Sequence, residues 1–122
     1  MVNRSRAMVS VVFVLVALVL MATLASAATF RVRARFIDND YRWRPKTLEV
    51  PTGSRVVWRI VEGTHNVRSI GSNWSKSSGN IAEGGSTSFR FDSRGTYRYR
   101  CTLHSELSSG TCTGMCGRVL VS

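Results

Sequence analysis

The chain has 122 residues, 17 of them Lys or Arg and only 7 Asp or Glu, so its formal net charge is +10. A chain of this length holds one domain with a modest core. The arginines are dispersed, and neither an aromatic RNA-binding pattern nor zinc-finger spacing occurs, so we expect no nucleic-acid partner. The basic charge instead favours solubility, or attraction to an acidic partner or an anionic envelope surface.

The first 27 residues have the pattern of a secretory signal peptide. Arg4 and Arg6 precede a long apolar run, and the small residues ASA at 25–27 offer a cleavage site. The apolar run is also close to the roughly 20 residues that span a bilayer, so a retained membrane anchor is the alternative. In both cases residues 28–122 are predicted to be one exported domain, which is periplasmic, secreted or anchored at the outer face of a membrane.

Alternation of apolar and polar residues predicts the first strands. From Phe30 to Phe36 every second residue is apolar and arginines lie between, which is typical of a half-buried strand with a solvated basic face. Residues 41–50 contain Pro45 and read as an edge strand or strand entry, with Leu48 and Val50 on one face. A further alternating strand is predicted over 54–60, where Trp58 is expected in the core.

The remaining strands follow a loop that carries a histidine. Residues 61–70 are predicted as this loop and a short strand, and the Gly- and Ser-rich residues 71–87 as a long surface connection with at most a short strand near 80–83. Strands are then predicted over 88–91, 96–101 and 117–122. About seven strands without a helical period predict an all-β antiparallel β-sandwich.

Four side chains in the predicted domain match the ligand set of one kind of metal site. Beyond the leader the chain has two histidines, His65 and His104, and one methionine, Met115. Cys101 ends a strand whose inward phase carries its thiol toward the interior. Two neutral imidazoles, a thiolate and a weak axial thioether suit a type 1 copper centre, because this mixed set accommodates both Cu(I) and Cu(II). Structural zinc sites favour more thiolates, so we predict one copper ion.

Four segments carry a resemblance to small cupredoxins of the plastocyanin and azurin type, over nearly all of residues 28–122. They are LEVPTGSRVVW at 48–58, HNV at 65–67, GTYRYRCTLH at 95–104 and GMCGRVLV at 114–121. The resemblance implies a Greek-key sandwich of about eight strands. It also implies equatorial copper ligands His65, Cys101 and His104 and an axial ligand Met115.

The resemblance further implies roles for the residues that follow two of the ligands. In the family these residues tie the two ligand loops together by hydrogen bonds, so Asn66 and Thr102 are candidates for that role. Such bonds tune the cysteine sulfur and therefore the reduction potential.

The chain departs from the family between His104 and Met115, where the ten residues SELSSGTCTG replace a shorter connection. Longer loops cost little entropy, but the approach of the thioether depends on this segment. Cys112 lies in it and Cys116 follows it, and an exported domain with three cysteines leaves one unpaired. A Cys112–Cys116 disulfide would leave Cys101 as a thiolate, whereas a disulfide from Cys101 to either one would abolish the copper site. We favour the first pairing.

A metal saturated by four protein ligands has no open position for a substrate, so one-electron transfer is predicted and an enzyme is not. The resemblance implies that the ring edge of His104 is the electron exit, and Leu103 and Leu107 are candidates for an apolar docking patch around it. The expected partner is a redox protein, and an acidic surface on that protein would complement the positive charge of this domain. The expected oligomeric state is a monomer. A copper storage or delivery module and a non-redox interaction sandwich remain the alternatives.

Overall fold

A computed structural model describes residues 26–122 of the chain. Within this range the chain forms eight strands, namely β1 (Thr29–Ile37), β2 (Asp40–Arg44), β3 (Thr47–Val50), β4 (Ser54–Ile60), β5 (Arg68–Ile70), β6 (Ser86–Phe91), β7 (Gly95–Ser108) and β8 (Thr111–Val121). The predicted signal peptide falls almost wholly on residues 1–25, outside the described residues, and stays a prediction. Residues 26–122 contain no helix with the length and hydrophobicity needed to cross a membrane.

The strands form two four-stranded sheets, in the orders β2-β1-β4-β6 and β3-β8-β7-β5. The predicted all-β sandwich is therefore confirmed. The sheets are mixed rather than purely antiparallel, because β1 pairs with β4 and β3 pairs with β8 in parallel. The remaining pairs of neighbouring strands are antiparallel.

The alternating sequence of β1 and β4 explains how the first sheet covers the core. Val32 and Ala34 of β1 are fully buried, while the arginines between them are exposed. In β4 the buried side includes Trp58, as predicted, and its ring contacts Tyr99 of the opposite sheet with centroids 5.2 Å apart. Trp43 of β2 contacts the same tyrosine at 5.6 Å, so aromatic rings join the two sheets. Each ring buries a large apolar area and stabilises the sandwich.

Residues 41–50 were predicted as an edge strand or strand entry; they form two strands, and each lies at the edge of its sheet. Pro45 lies between β2 and β3, which belong to different sheets. Proline cannot donate a ladder hydrogen bond, and here it lies where the chain leaves one sheet for the other. The connection at 71–85 contains no strand; near 80–83 there is only an isolated bridge between His65 and Ile81.

The segment that separates His104 from Met115 is a β-hairpin rather than a loop. β7 and β8 extend well beyond the predicted 96–101 and 117–122, and they stay paired from Ser105 opposite Gly114 to Ser108 opposite Thr111. Ser109 and Gly110 close the hairpin, with φ of 49° and 79°. Positive φ at both central residues is the conformation of a tight two-residue hairpin turn. The extra residues are thus paired in the second sheet.

Candidate metal centre

His65 is delivered to the end of the sandwich by the short loop that follows β4. The backbone N–H of His65 donates to the carbonyl of Ile81 at 3.1 Å, and the backbone N–H of Ile81 donates to the carbonyl of His65 at 2.7 Å. The imidazole is fully buried. The isolated bridge therefore fixes the backbone of His65, although the surrounding loop has no regular strand.

A second contact fixes the orientation and the tautomer of the His65 ring. Nε2 lies 2.7 Å from the carbonyl oxygen of Glu62, so Nε2 carries the proton and donates it to that carbonyl. The lone pair of Nδ1 is then free for a metal. Burial lowers the pKa of His65 below its ordinary value of 6.5; the bond to Glu62 opposes this shift, and the neighbouring His104 reinforces it. Burial therefore favours the neutral imidazole, which is the form that binds metals.

Cys101 and His104 lie in a bulge of β7. Regular pairing with β8 stops after Arg100 opposite Cys116 and resumes at Ser105 opposite Gly114. Four residues, 101–104, therefore face the single residue Met115, and such a bulge redirects side chains at the end of a sheet. Cys101 is fully buried and free, and Met115 is 1% exposed.

Two contacts hold the bulge closed. The hydroxyl of Ser105 donates to the carbonyl of Cys101 across the turn of chain that contains His104. On the facing strand Gly114 has a φ of 91°, and a Cβ there would lie 2.5 Å from the carbonyl oxygen of His104. Only glycine allows this conformation and this approach without displacing the backbone. The backbone immediately before Met115 therefore lies directly against the backbone of His104.

Three donor atoms converge between the two loops. The Nδ1 atoms of His65 and His104 lie 3.1 Å apart. The Sγ atom of Cys101 lies 3.7 Å from Nδ1 of His65 and 3.5 Å from Nδ1 of His104. Among the described residues these three form a group able to hold a metal ion. Two imidazole nitrogens and one thiolate sulfur at the corners of a triangle fit the trigonal plane of a type 1 copper centre.

Asn66 and Thr102 connect the loops that carry these donors. The Nδ2 of Asn66 donates to Oγ1 of Thr102 at 2.8 Å and to Oδ1 of Asn80 at 3.0 Å. The backbone N–H of Thr102 donates to Oδ1 of Asn66 at 2.9 Å. The residue after His65 is thus bonded to the residue after Cys101, which limits relative movement of the two ligands.

Cys112 and Cys116 form a disulfide, and Cys101 is the free cysteine of the described range. The alternative pairing, in which Cys101 is consumed, is therefore excluded. The bridge spans the part of β8 that contains Met115, so it links the two flanks of the candidate axial ligand. The Cα atoms of the two cysteines are 6.2 Å apart.

Tyr41 is a site residue that the sequence analysis missed. Its ring centroid lies 4.7 Å from that of His65 and 4.6 Å from that of His104, so it packs on both imidazoles. It also contacts the exposed ring of Phe36 at 5.0 Å. The sequence did contain an indication of this position. Tyr41 alternates with the exposed arginines of β2, so it lies on the same side of the strand as the buried Trp43. Leu103 and Leu107, the candidate docking residues, are exposed.

Residues 30–122 match the family of copper binding proteins that contains plastocyanin and azurin. The chain therefore belongs to this family, and copper is its cofactor. No curated protein sequence matches the chain.

Solved structures of cupredoxins share the fold. A purple cupredoxin from Nitrosopumilus maritimus is similar at a TM-score of 0.59 and 22% identity, over 80% of this chain and 100% of that one. A reduced mutant of amicyanin is similar at a TM-score of 0.59 and 24% identity, over 83% and 88% of the two chains. A copper-containing nitrite reductase from Thermus scotoductus SA-01 is similar at a TM-score of 0.59 and 20% identity, over 80% of this chain but 22% of the reductase.

Proposed function

We propose that the domain is an exported carrier of single electrons with one type 1 copper centre. His65 and His104 would bind through Nδ1 and Cys101 through Sγ, and Met115 would supply the axial thioether. The observation that carries the proposal is the triangle of two Nδ1 atoms and one Sγ atom, with sides of 3.1, 3.5 and 3.7 Å. Bound copper supplies a one-electron change between Cu(I) and Cu(II).

The contacts around the donors support electron transfer because they limit movement of the ligands. Glu62 holds the ring of His65, and the Asn66–Thr102 pair joins the two loops. Little rearrangement on gain or loss of an electron is what fast transfer requires, and outer hydrogen bonds of this kind orient metal ligands.

The surroundings of His104 support an exit for the electron at this end of the sandwich. His104 is half-buried, in contrast to the fully buried His65, and the neighbouring Leu103 is 51% exposed. An exposed apolar side chain beside a ligand offers a docking contact for a redox partner protein. Four protein ligands would leave no open position for a substrate, so we propose a carrier rather than an enzyme.

Burial favours a carrier over a copper storage or delivery module. A delivery site would be expected to open to solvent on a mobile loop, so that copper can be passed on. Here Cys101, His65 and Met115 are almost inaccessible, and the long segment that precedes Met115 is paired in a hairpin. The disulfide is consistent with export to an oxidising compartment, and we propose that the domain acts there as a monomer.

A reductive titration of the copper-loaded protein tests the proposal. We expect each copper to take up one electron reversibly and to stay bound through repeated cycles of reduction and oxidation. Loss of copper on reduction would instead indicate a delivery module. As a second arm, the double variant His65→Ala/His104→Ala is expected to lose stoichiometric copper binding. Unchanged copper binding by this variant would show that the triangle is not the site.

A further inference from the structure

One face of the domain is covered with arginine. The strands of the first sheet alternate, so that one set of their side chains points outward from the core. Eight exposed arginines occupy this outer surface, which we call the arginine face: Arg31, Arg33, Arg35, Arg42, Arg44, Arg55, Arg59 and Arg90. The same four strands contain no lysine, and their one acidic residue is Asp40.

Strand pairing places these arginines directly beside one another. Arg33 of β1 lies opposite Arg44 of β2 on one side and Arg59 of β4 on the other. Arg35 lies opposite Arg42 in the same way. Like charges in directly opposite positions destabilise a sheet. The arrangement therefore opposes folding, and a role in binding anions would account for it.

Few of these charges are neutralised within the described part of the chain. Arg35 lies 3.8 Å from a carboxylate oxygen of Glu62, and Arg90 lies 2.8 Å from one of Asp92. Residues 26–122 contain no other ion pairs. The remaining six arginines are thus available to an external anion. Guanidinium groups match phosphate because their planar fork donates two parallel hydrogen bonds, which a lysine cannot do.

The composition of the face distinguishes a lipid surface from a protein partner. Protein interfaces have a core of apolar and aromatic side chains inside a polar rim. On the arginine face the central outward apolar residue is Val57, which is only half-exposed. The exposed large apolar residues of the described chain, Phe36, Leu103 and Leu107, do not belong to the outward-pointing set. Charge alone is sufficient for adsorption to anionic lipids.

We propose that the arginine face docks the domain onto the surface of a bilayer that contains anionic phospholipids. The outward side chains are spaced by about 5 Å across the strands and about 7 Å along them, which gives a broad array of cations for headgroup phosphates. The copper centre lies beyond the end of β4 rather than behind the face. A docked domain would therefore keep Leu103 and Leu107 accessible to a soluble redox partner.

Cosedimentation of the exported protein with vesicles tests this docking. The probes are vesicles of phosphatidylcholine alone and of phosphatidylcholine mixed with phosphatidylglycerol. We expect binding only to the anionic vesicles, with an affinity that falls as salt is raised. In the triple variant Arg33→Gln/Arg44→Gln/Arg59→Gln affinity is expected to fall roughly a hundredfold, since each basic residue near an anionic surface contributes roughly fivefold.

A matched control distinguishes the effect of the arginine face from the effect of net charge. The triple variant Arg68→Gln/Arg94→Gln/Arg118→Gln removes the same charge from exposed positions elsewhere and is expected to bind within a few-fold of the unchanged protein. Equal weakening by both triples would overturn the proposal, as would equal binding to neutral vesicles or no binding at all. Binding to polyglutamate but not to anionic vesicles would mean that the face docks an acidic polypeptide. The face variant should fold, because it relieves repulsion between opposite arginines.

Discussion

Asn66 and Thr102 are joined by a reciprocal pair of hydrogen bonds: the side-chain amide of Asn66 donates to the hydroxyl of Thr102 at 2.8 Å and accepts the backbone N–H of Thr102 at 2.9 Å. Each residue directly follows a candidate ligand, His65 in one loop and Cys101 in the other. The two loops are distant in sequence, so this pair of hydrogen bonds fixes their positions relative to each other beside the donor atoms.

We expect Asn66→Ala to lower the free energy of unfolding of the metal-free protein by about 2 kcal/mol, because it leaves the N–H of Thr102 without an acceptor. The visible spectrum and the reduction potential of the copper-loaded protein should change as well. Asn80→Ala is the matched control. It removes one acceptor of Asn66 at an exposed position, and its cost should stay within about 0.5 kcal/mol. Equal effects of the two substitutions would contradict a special role for the Asn66–Thr102 pair.

The disulfide is expected to position Met115. Four residues of an extended strand span about 13 Å, yet the Cα atoms of Cys112 and Cys116 are 6.2 Å apart. β8 is therefore sharply bent between them, where Gly114 adopts its positive φ. The bridge closes this bend, and Met115 lies inside it.

We expect Cys112→Ser/Cys116→Ser to cost about 2 kcal/mol of stability, as expected for a short closed loop. Its copper-loaded spectrum should shift in the same direction as that of Met115→Leu. Thr113→Ser, a conservative change inside the same bend, is the control and should leave the spectrum unchanged. If the double cysteine variant is less stable but retains the spectrum of the unchanged protein, the bridge stabilises the hairpin without positioning the thioether.

Tyr41 is expected to shield both imidazoles. Tyr41 contacts three rings, and each aromatic pair contributes roughly 1 kcal/mol beyond its burial, so Tyr41→Ala should cost about 3 kcal/mol of stability or more, while Tyr41→Phe should cost much less. Loss of the ring should also speed the removal of copper by an external chelator. Stopped-flow measurement of that removal distinguishes the two variants. Identical rates for Ala and Phe would show that the ring does not cover the site.

We expect His65 to make the stability of the metal-free domain depend on pH. Burial lowers the pKa of His65 in the folded chain, whereas the unfolded chain keeps its ordinary value of 6.5. As the pH falls below that value, the imidazole of the unfolded chain takes up its proton first. Stability that is present above about pH 6.5 is therefore lost as the pH falls, and the loss stops once the imidazole of the folded chain is also protonated. Urea unfolding across this range should show the loss, and His65→Gln should reduce it. An equal pH dependence in this variant would assign the effect to other groups.

Sequence patterns were sufficient to predict a strand wherever one of its faces is buried. β1 and β4 were predictable because Val32, Ala34 and Trp58 alternate with exposed residues. His65, His104 and Met115 were grouped because the predicted domain has no other histidine or methionine. Cys101 was chosen among three cysteines because it ends a predicted strand on the inward side.

Other features depend on contacts between distant segments. The hairpin from Ser105 to Gly114 is largely exposed and has Leu107 as its single large apolar residue, so it lacks the alternation that marks a strand. Tyr41 lies on β2 of the first sheet, and its ring packs on His65, which follows a strand of the same sheet, and on His104, which lies in the second sheet. No local sequence pattern reveals such a contact. The arginine face likewise needs the register of four strands, since its charges are dispersed along the sequence.

The most direct test of the copper site is the visible absorption spectrum of the exported protein during titration with Cu(II), beside the variants Cys101→Ser and Met115→Leu. We expect an intense band in the visible range that saturates at one copper per chain. Cys101→Ser should abolish the band, because it removes the thiolate, and Met115→Leu should shift it. A colourless or weakly absorbing product, or a band that persists in Cys101→Ser, would contradict thiolate ligation and the assignment of electron transfer to this site.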